Sequence, residues 1–334
     1  MFEYTKEDLN IMAKEFNFNR DTLEKVIRLI KILDFINTDS QIKEKLVLKG
    51  GTAINLSVLE LPRLSVDIDL DYMENINREQ MLLERKIITS ELKRFFEMED
   101  YVLSPKSKSR HSLDSFVINY INSAGINDNI KVEINYSLRS HLFECVHKKI
   151  ELKQIESNTE ILMLNKFELF AAKINALLSR AMPRDLYDVY NVCKNNIFAE
   201  SDLSLLRAAF VFYTAISQEN IPDYYSLDPI ENITLKNTLA ALQPVLHKGS
   251  KIELELYKKI VKIFVAKVIN IDDKEREFLD LFKQKIYKPE LLFSDEYILK
   301  NIKNHPMVMW KLNENKIEKP INNQILVTWR SCSK

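Results

Sequence analysis

Glycine is scarce in this sequence, with 4 residues in a chain of 334. Ordinary usage of about 7% would give on the order of 20. Two of the four are adjacent, Gly50 and Gly51, which marks residues 49 to 71 as a place where the backbone needs unusual dihedrals or close approach to a ligand. Cysteine is scarce as well. Cys145, Cys193 and Cys332 are widely spaced, odd in number and without a CxxC, which argues against a disulfide framework or a zinc ribbon and for free thiols in a reducing, cytoplasmic setting. Neither charge is in excess: 48 Lys and Arg balance 48 Asp and Glu. No global basic field advertises nucleic acid, so a polyanion would have to be met locally. Long apolar runs are missing too. The longest, Ala208 to Ile216 (AAFVFYTAI), is about half of what a membrane span needs, and the N-terminal MFEYTKEDLNIMAKEF has no apolar signal core. No membrane association is expected. Neither a Walker A loop nor an HExxH is present, so P-loop and zincin chemistry lack their residues.

What is present is the composition of a folded protein, 46% hydrophobic and 29% charged, long enough for about two domains. Helical spacing from Thr5 to Asn37 predicts two helices, with Thr5 and Asp8 in a capping arrangement and Val26, Leu29, Ile30, Leu33 and Ile36 as an apolar face. Leu46 to Leu48 reads as a short strand or a helix end, and Thr52 to Leu59 as helical. Strict alternation in Leu64 to Met73 (LSVDIDLDYM) predicts a strand with Val66, Ile68 and Leu70 on one face and Asp67, Asp69 and Asp71 on the other. Gln80 to Glu97 reads as a helix; Phe116 to Ile121 and Ile130 to Ser137 read as strands around a turn at Gly125. From about residue 150 the strand signal fades. Glu160 to Leu178, Arg184 to Cys193, Leu203 to Ile216, Ile252 to Val268 and Glu275 to Gln284 all look helical.

Three carboxylates on one strand face repel one another, and a divalent cation, naturally magnesium, relieves that. The plain alternative is a solvent-facing strand whose aspartates are merely hydrated. An EF-hand does not fit, because its sixth and twelfth positions would be Tyr72 and Arg78. The spacing adds weight: KGGTAINL precedes RLSVDIDLD by a short connection. Backbone amides at a glycine turn entering a helix can hold phosphates, while a nearby carboxylate pair holds magnesium on the same phosphates.

In this order, Gly50-Gly51-Thr52 and then Asp67-Ile68-Asp69 resemble the first motif of the DNA polymerase beta-like nucleotidyltransferases. Lys49 to Ala53 and Arg63 to Asp71 look most like the AbiEii/AbiGii toxin branch. That branch has a later acidic strand, resembled by Lys131-Val132-Glu133-Ile134-Asn135, then a lysine helix and an RDxxD segment, resembled by Ala172-Lys173 and Arg184 to Asp188. The resemblance covers about residues 45 to 195, with His305-Pro306 to Trp310 a weaker echo. It implies an α+β fold: a nucleotidyltransferase domain with N-terminal helices and a mixed sheet over residues 1–155, then a helical domain over 156–334 that contributes to the active-site cleft. It further implies transfer of a nucleoside monophosphate from an NTP to an RNA acceptor, the tRNA 3′ end in some relatives, by a toxin paired with an antitoxin.

On that resemblance Asp67, Asp69 and Glu133 hold two magnesium ions, and Gly50, Gly51 and Thr52, with Ser65, cradle the phosphates. Lys173 neutralises the leaving pyrophosphate, and Glu133 or Asp69 helps deprotonate the acceptor hydroxyl. Asp188 joins the catalytic set; Lys166, Arg184 and Asp185 join the nucleotide-binding set. Each has a blander reading. Glu133 can be an exposed glutamate beside Lys131. Lys166, Lys173 and Arg180, seven apart, can be a solvated stripe on a helix that Pro183 ends. Asp185 and Asp188, with Arg184 free to pair with Asp188, can be a salt-bridge cluster docking the two halves. Ser104 to Ser115 (SPKSKSRHSLDS) reads first as a mobile surface loop, although Lys106, Lys108, Arg110 and His111 could touch phosphates of a long substrate. A basic C-terminal stretch with Trp310 and Trp329 is a conceivable RNA-facing patch. Two rival functions remain: the same chemistry on an antibiotic or a protein side chain, and a module that binds nucleotide without turnover.

Overall fold

The computed structural model describes residues 2–152 and 155–313; Trp329, Cys332 and the part of the basic C-terminal stretch beyond residue 313 lie outside them. Two helices open the chain, α1 (Lys6–Glu15) and α2 (Arg20–Thr38). Thr5 and Asp8 close a reciprocal capping box on α1. The expected apolar face of α2, from Val26 to Ile36, is buried throughout.

Next come β1 (Leu46–Lys49) and the short helix α3 (Gly50–Ala53), which widens into a π-turn over Ile54–Val58. The chain continues through β2 (Asp67–Tyr72), α4 (Arg78–Met98), β3 (Val102–Leu103), β4 (Lys108–Ser109), β5 (Leu113–Ile121), β6 (Asn127–Asn135), β7 (Val146–Leu152) and β8 (Ile155–Met163). The eight strands belong to one mixed sheet in the order β3-β5-β6-β2-β1-β8-β7, with β4 paired to β5. The two strands at its centre, β2 and β6, are parallel, and β1 lies antiparallel to β2. Ile68, Leu70, Val132, Ile134 and Phe116 point to a buried face. That face is covered by α2 and α4, where Phe35 stacks on Phe95 at 4.3 Å and Phe96 meets Phe116 edge-on at 6.0 Å.

The helical signal assigned to Glu160 to Met163 is corrected here. These residues end β8, and its partner β7 was not anticipated at all. EILML is a short apolar run of good helix formers, which periodicity cannot separate from a buried strand. Tertiary pairing decides it. Leu48 of β1 pairs with Met163, and α2 supplies side-chain acceptors to the β8 backbone, Asp34 to Asn158 N–H at 3.0 Å and Asn37 to Leu162 N–H at 2.9 Å. The sheet therefore runs on past residue 155, where the sequence suggested that the first domain ends.

Helices follow: α5 (Lys166–Arg180), α6 (Pro183–Lys194), α7 (Leu203–Ser217), α8 (Asp228–Glu231), α9 (Leu235–Leu242), α10 (Leu254–Ile269), α11 (Asp273–Lys283), α12 (Glu296–Ile302) and α13 (Pro306–Asn313). The apolar run from Ala208 to Ile216 is buried on every side as the C-terminal part of α7, the fate of a helix that is hydrophobic all round. Among the described residues no helix is long and apolar enough to cross a membrane. Pro183 starts α6 after α5 ends at Ala181 in a left-handed conformation, φ 49°.

One buried ion cluster fastens this helical layer to the sheet. Asp188 of α6 is 0% exposed and receives both arms of Arg63, at 2.7 Å each, from the segment that leads into β2. Lys173 of α5 reaches the same carboxylate at 3.0 Å, and Asn55 donates to it at 3.2 Å. Burial alone would raise the Asp188 pKa. Arg63, then Lys173, overcome that and hold it down at about 2.

Asp188→Asn should therefore lower stability by roughly 3–5 kcal/mol at neutral pH, because Arg63 and Lys173 lose their buried counter-charge. A depressed folded pKa means that the carboxylate's contribution is complete above about pH 4 and fades as pH falls towards 2. Denaturant unfolding across that range should show the difference between wild type and variant shrinking with acid. Equal stabilities at pH 7 would refute the clamp.

Candidate active site

Alternation along β2 sends Asp67, Asp69 and Asp71 away from the covered face, as the sequence predicts. The strand register then decides their company. Asp69 lies directly opposite Glu133 on β6, Asp67 opposite Lys131, and Lys49 of β1 opposite Asp69 on the other side. Directly paired residues share a face, so Asp69 and Glu133 form one acidic step with Asp67 beside it. Asp71 leaves this group: it is 1% exposed and paired with Lys49 at 2.5 Å. Burial raises the Asp69 pKa, Lys49 draws it back, and Asp67 and Glu133 push it up again. A partly buried carboxylate crowded by two others invites a cation. Glu133, however, is turned towards Lys131 at 2.8 Å, and no ready-made cage of three or more His, Cys, Asp or Glu side chains occurs among the described residues.

The glycine turn sits against the acids. Gly50 has φ 70°, and a Cβ there would stand 2.5 Å from Asp69 Oδ2, so glycine is required by both conformation and space. A Cβ on Gly51 would meet the Arg63 guanidinium at 2.9 Å and Ser65 Oγ at 3.1 Å. Thr52 and Ser65 do not offer their hydroxyls to the cleft: Thr52 Oγ1 bonds the Asp67 carbonyl and lies 3.0 Å from Ser65 Oγ. They lock the turn to β2. No side chain caps the first turn of α3, leaving its amides unclaimed by a cap.

Gly50 and Asp69 open onto a cleft of about 620 Å³, whose other wall is α5 with Lys173, Ala176 and Arg180, and whose far end is α7 with Tyr213. Lys173 lies 3.0 Å from both Asp185 and Asp188. Burial lowers its pKa, Asp188 and Asp185 more than reverse that, and the ammonium stays charged. Three donors minus two pairs leaves one for the cleft. Asp185 is 2% exposed and also holds Arg180 at 2.7 Å.

The structure thus brings Asp67, Asp69, Glu133, Gly50, Gly51 and Lys173 together and places the others around them. Asp185 and Asp188 lie behind Lys173, paired with cations, in the docking arrangement. Arg184 donates to the Ala241 carbonyl at 3.2 Å; burial and then Arg63 lower its pKa, against Asp67. Lys166 is elsewhere, bonded to the Ile197 carbonyl at 3.2 Å and 3.6 Å from Asp202. Four participants were not assigned from sequence: Arg63 and Asn55 at the clamp, Lys49 beside Asp71, and Glu168. Glu168 is buried under the cleft, accepting from the Leu142 and Phe143 N–H groups at 3.1 and 3.2 Å and from Tyr213. Arg180 carried a signal, its seven-residue spacing from Lys173; Arg63 carried another, its place just before the aspartate strand.

No curated protein matches the sequence. Among solved structures, MenT4, a nucleotidyltransferase toxin from Mycobacterium tuberculosis H37Rv, superposes with a TM-score of 0.59 at 14% identity, over 92% of this chain and 99% of that one. The likeness is one of fold. The CdnC:HORMA-deltaN complex of E. coli MS115-1 matches at 15% identity over 90% of this chain and 98% of that one, with a TM-score of 0.23 that carries no argument. The family model described as nucleotidyl transferase AbiEii toxin, type IV toxin–antitoxin system, matches residues 32–264, well over half of the chain. That span holds the glycine turn, the acidic strands, the lysine helix and the clamp, and the protein belongs to the AbiEii family of nucleotidyltransferase toxins of type IV toxin–antitoxin systems.

Proposed function

We propose that this toxin transfers a nucleoside monophosphate from an NTP to the 3′ end of an RNA, a tRNA, and that it does so with two magnesium ions. The observation that carries the reading is the acidic step: Asp69 and Glu133 in register on parallel strands, beside a glycine turn and across a cleft from a charged lysine. Magnesium is commonly held by one or two carboxylates together with substrate phosphates, not by a complete protein cage. Asp67 and Asp69 suit that role as they stand, and Glu133 joins them once it releases Lys131. When bound, the ions would neutralise the phosphates and acidify the attacking hydroxyl.

The chain's own residues do the rest. Gly50 and Gly51 let the backbone come close to the phosphates, and the first amides of α3 face them. The acceptor hydroxyl oxygen bonds to the α-phosphorus as the bond to pyrophosphate breaks, and the hydroxyl proton passes to Glu133 or Asp69. Lys173 meets the charge that gathers on the departing pyrophosphate. Asp188 and Asp185 act through Lys173, fixing its ammonium and keeping it charged. A cognate antitoxin encoded beside the toxin completes the reading, as the family implies.

Asp67→Asn and Asp69→Asn should each abolish transfer, and any toxicity, while leaving the circular dichroism spectrum unchanged. A folded Asp69→Asn protein with near wild-type turnover would remove the metal assignment. Lys173→Ala should reduce kcat/KM for the NTP by about 10²–10³-fold, the range for loss of one electrostatic donor. Lys166→Ala should stay close to wild type; the reverse order would make Lys166, at the start of α5, the lysine that meets the pyrophosphate. Incubation with each labelled NTP, magnesium and total RNA should place label in the tRNA band. Label confined to protein or to a small molecule would reject the RNA acceptor and keep the transferase.

A further inference from the structure

The row of residues that forms the acidic step does not stop at Glu133. Glu133 faces Ser115 on β5, and Ser115 faces Lys108 on β4. With about 4.8 Å between neighbouring strands, Lys108 stands roughly 14 Å from Asp69 along one face of the sheet. A depression of about 280 Å³ lies at this end of the row, bordered by Lys106, Lys108, Arg110, Lys131 and Glu133. Arg110 also borders a second depression, of about 580 Å³, to which Lys86 and Lys93 of α4 contribute. Lys86, Lys93, Lys106, Lys108 and Arg110 are all exposed, and none has an ion-pair partner among the described residues.

This segment, read from sequence as a mobile loop, is a fastened hairpin. Arg85 of α4, itself 9% exposed, grips Asp114 of β5 at 2.9 and 2.6 Å and donates to the Ser109 hydroxyl and to the carbonyls of His111 and Arg110. Ser107 Oγ accepts from Val117 N–H at 2.9 Å on the other side. A backbone fastened in this way gives up less conformational entropy on binding than a free loop does. In a chain of zero net charge, several unpaired cations collected on one hairpin raise a local positive potential that a polyanion would relieve.

We propose that the β4–β5 hairpin, through Lys106, Lys108 and Arg110, binds the phosphate backbone of the acceptor RNA and leads its terminal nucleotide along the sheet to Glu133 and Asp69. The identity of the acceptor rests on the RNA reading above; the placement of the polyanion rests on the hairpin. An acidic protein would also answer the charge. RNA is favoured because the row runs directly into the carboxylate site, where a chain end must arrive.

The test is a Lys106→Ala/Lys108→Ala/Arg110→Ala variant of the full chain, compared with wild type by fluorescence anisotropy. The probes are a labelled single-stranded oligoribonucleotide and deacylated tRNA, titrated from 50 to 200 mM salt. RNA affinity should fall by at least about tenfold at 50 mM salt. The log–log salt slope should flatten by about 2, since each single-strand phosphate contact contributes about 0.7. The KM for NTP should not move, and Lys106→Arg/Lys108→Arg should bind as wild type does. Unchanged RNA affinity and slope would overturn the proposal. So would unchanged RNA binding together with lost inhibition by the cognate antitoxin, which would give the hairpin to an acidic protein. If the wild type binds RNA through the hairpin yet never labels it, the hairpin assignment stands and the RNA-acceptor reading falls.

Discussion

A single carboxylate, Asp188, sits where three parts of the molecule meet. It is fully buried, and its charge is supportable only because Arg63, Lys173 and Asn55 converge on it. Each of those three residues belongs to a different piece of the site: Arg63 leads into the acidic strand, Lys173 faces the cleft from α5, and Asn55 also bonds the Gly51 carbonyl at 2.8 Å. Such a cluster is a poor source of net stability, since desolvation offsets much of the attraction, but it is intolerant of disassembly. Geometry is what it supplies.

The consequences spread outward. Because Arg63 stands directly beneath Gly51, the turn has no room for a side chain there, and Asp69 excludes one from Gly50. A chain that spends four glycines in all places two where they bring backbone against carboxylate. Lys173 is kept charged by the same cluster that immobilises it. The cleft therefore has one wall of acids and close-packed backbone and another that presents a fixed cation, the division of labour that nucleotidyl transfer asks of a protein whose substrate carries most of the charge.

Charge balance over the whole chain conceals this arrangement. The acids gather on the central strands of the sheet, and unpaired cations gather at one edge, on the β4–β5 hairpin and α4. Neither cluster alters the zero sum. Paired strands carry side chains on a common face, so residues far apart in sequence, such as Lys108, Glu133 and Asp69, fall into one row that joins the two clusters.

The sequence by itself determined the local elements whose pattern is strong: the capped α1, the amphipathic α2, the alternating aspartate strand, and the glycine pair as a special turn. It also determined the family, because four short motifs kept their order. It misread β8 and missed β7, since EILML is apolar without being periodic and its state depends on pairing with β1 and on Asp34 and Asn37 of α2. It took the Lys106–Arg110 segment first for a loose loop, because the Arg85–Asp114 pair that fastens it spans 29 residues. The sequence favoured Lys173 over Lys166 and offered Glu133 to the aspartate face, but tertiary structure alone decided the register that sets Glu133 opposite Asp69, that Asp71 is withdrawn by Lys49, that Lys166 lies away from the cleft that Lys173 borders, and that Asp188 is held by Arg63. In each case the deciding quantity is strand register or burial. Neither has a local signature, because both belong to pairs of residues that meet only when the chain is folded.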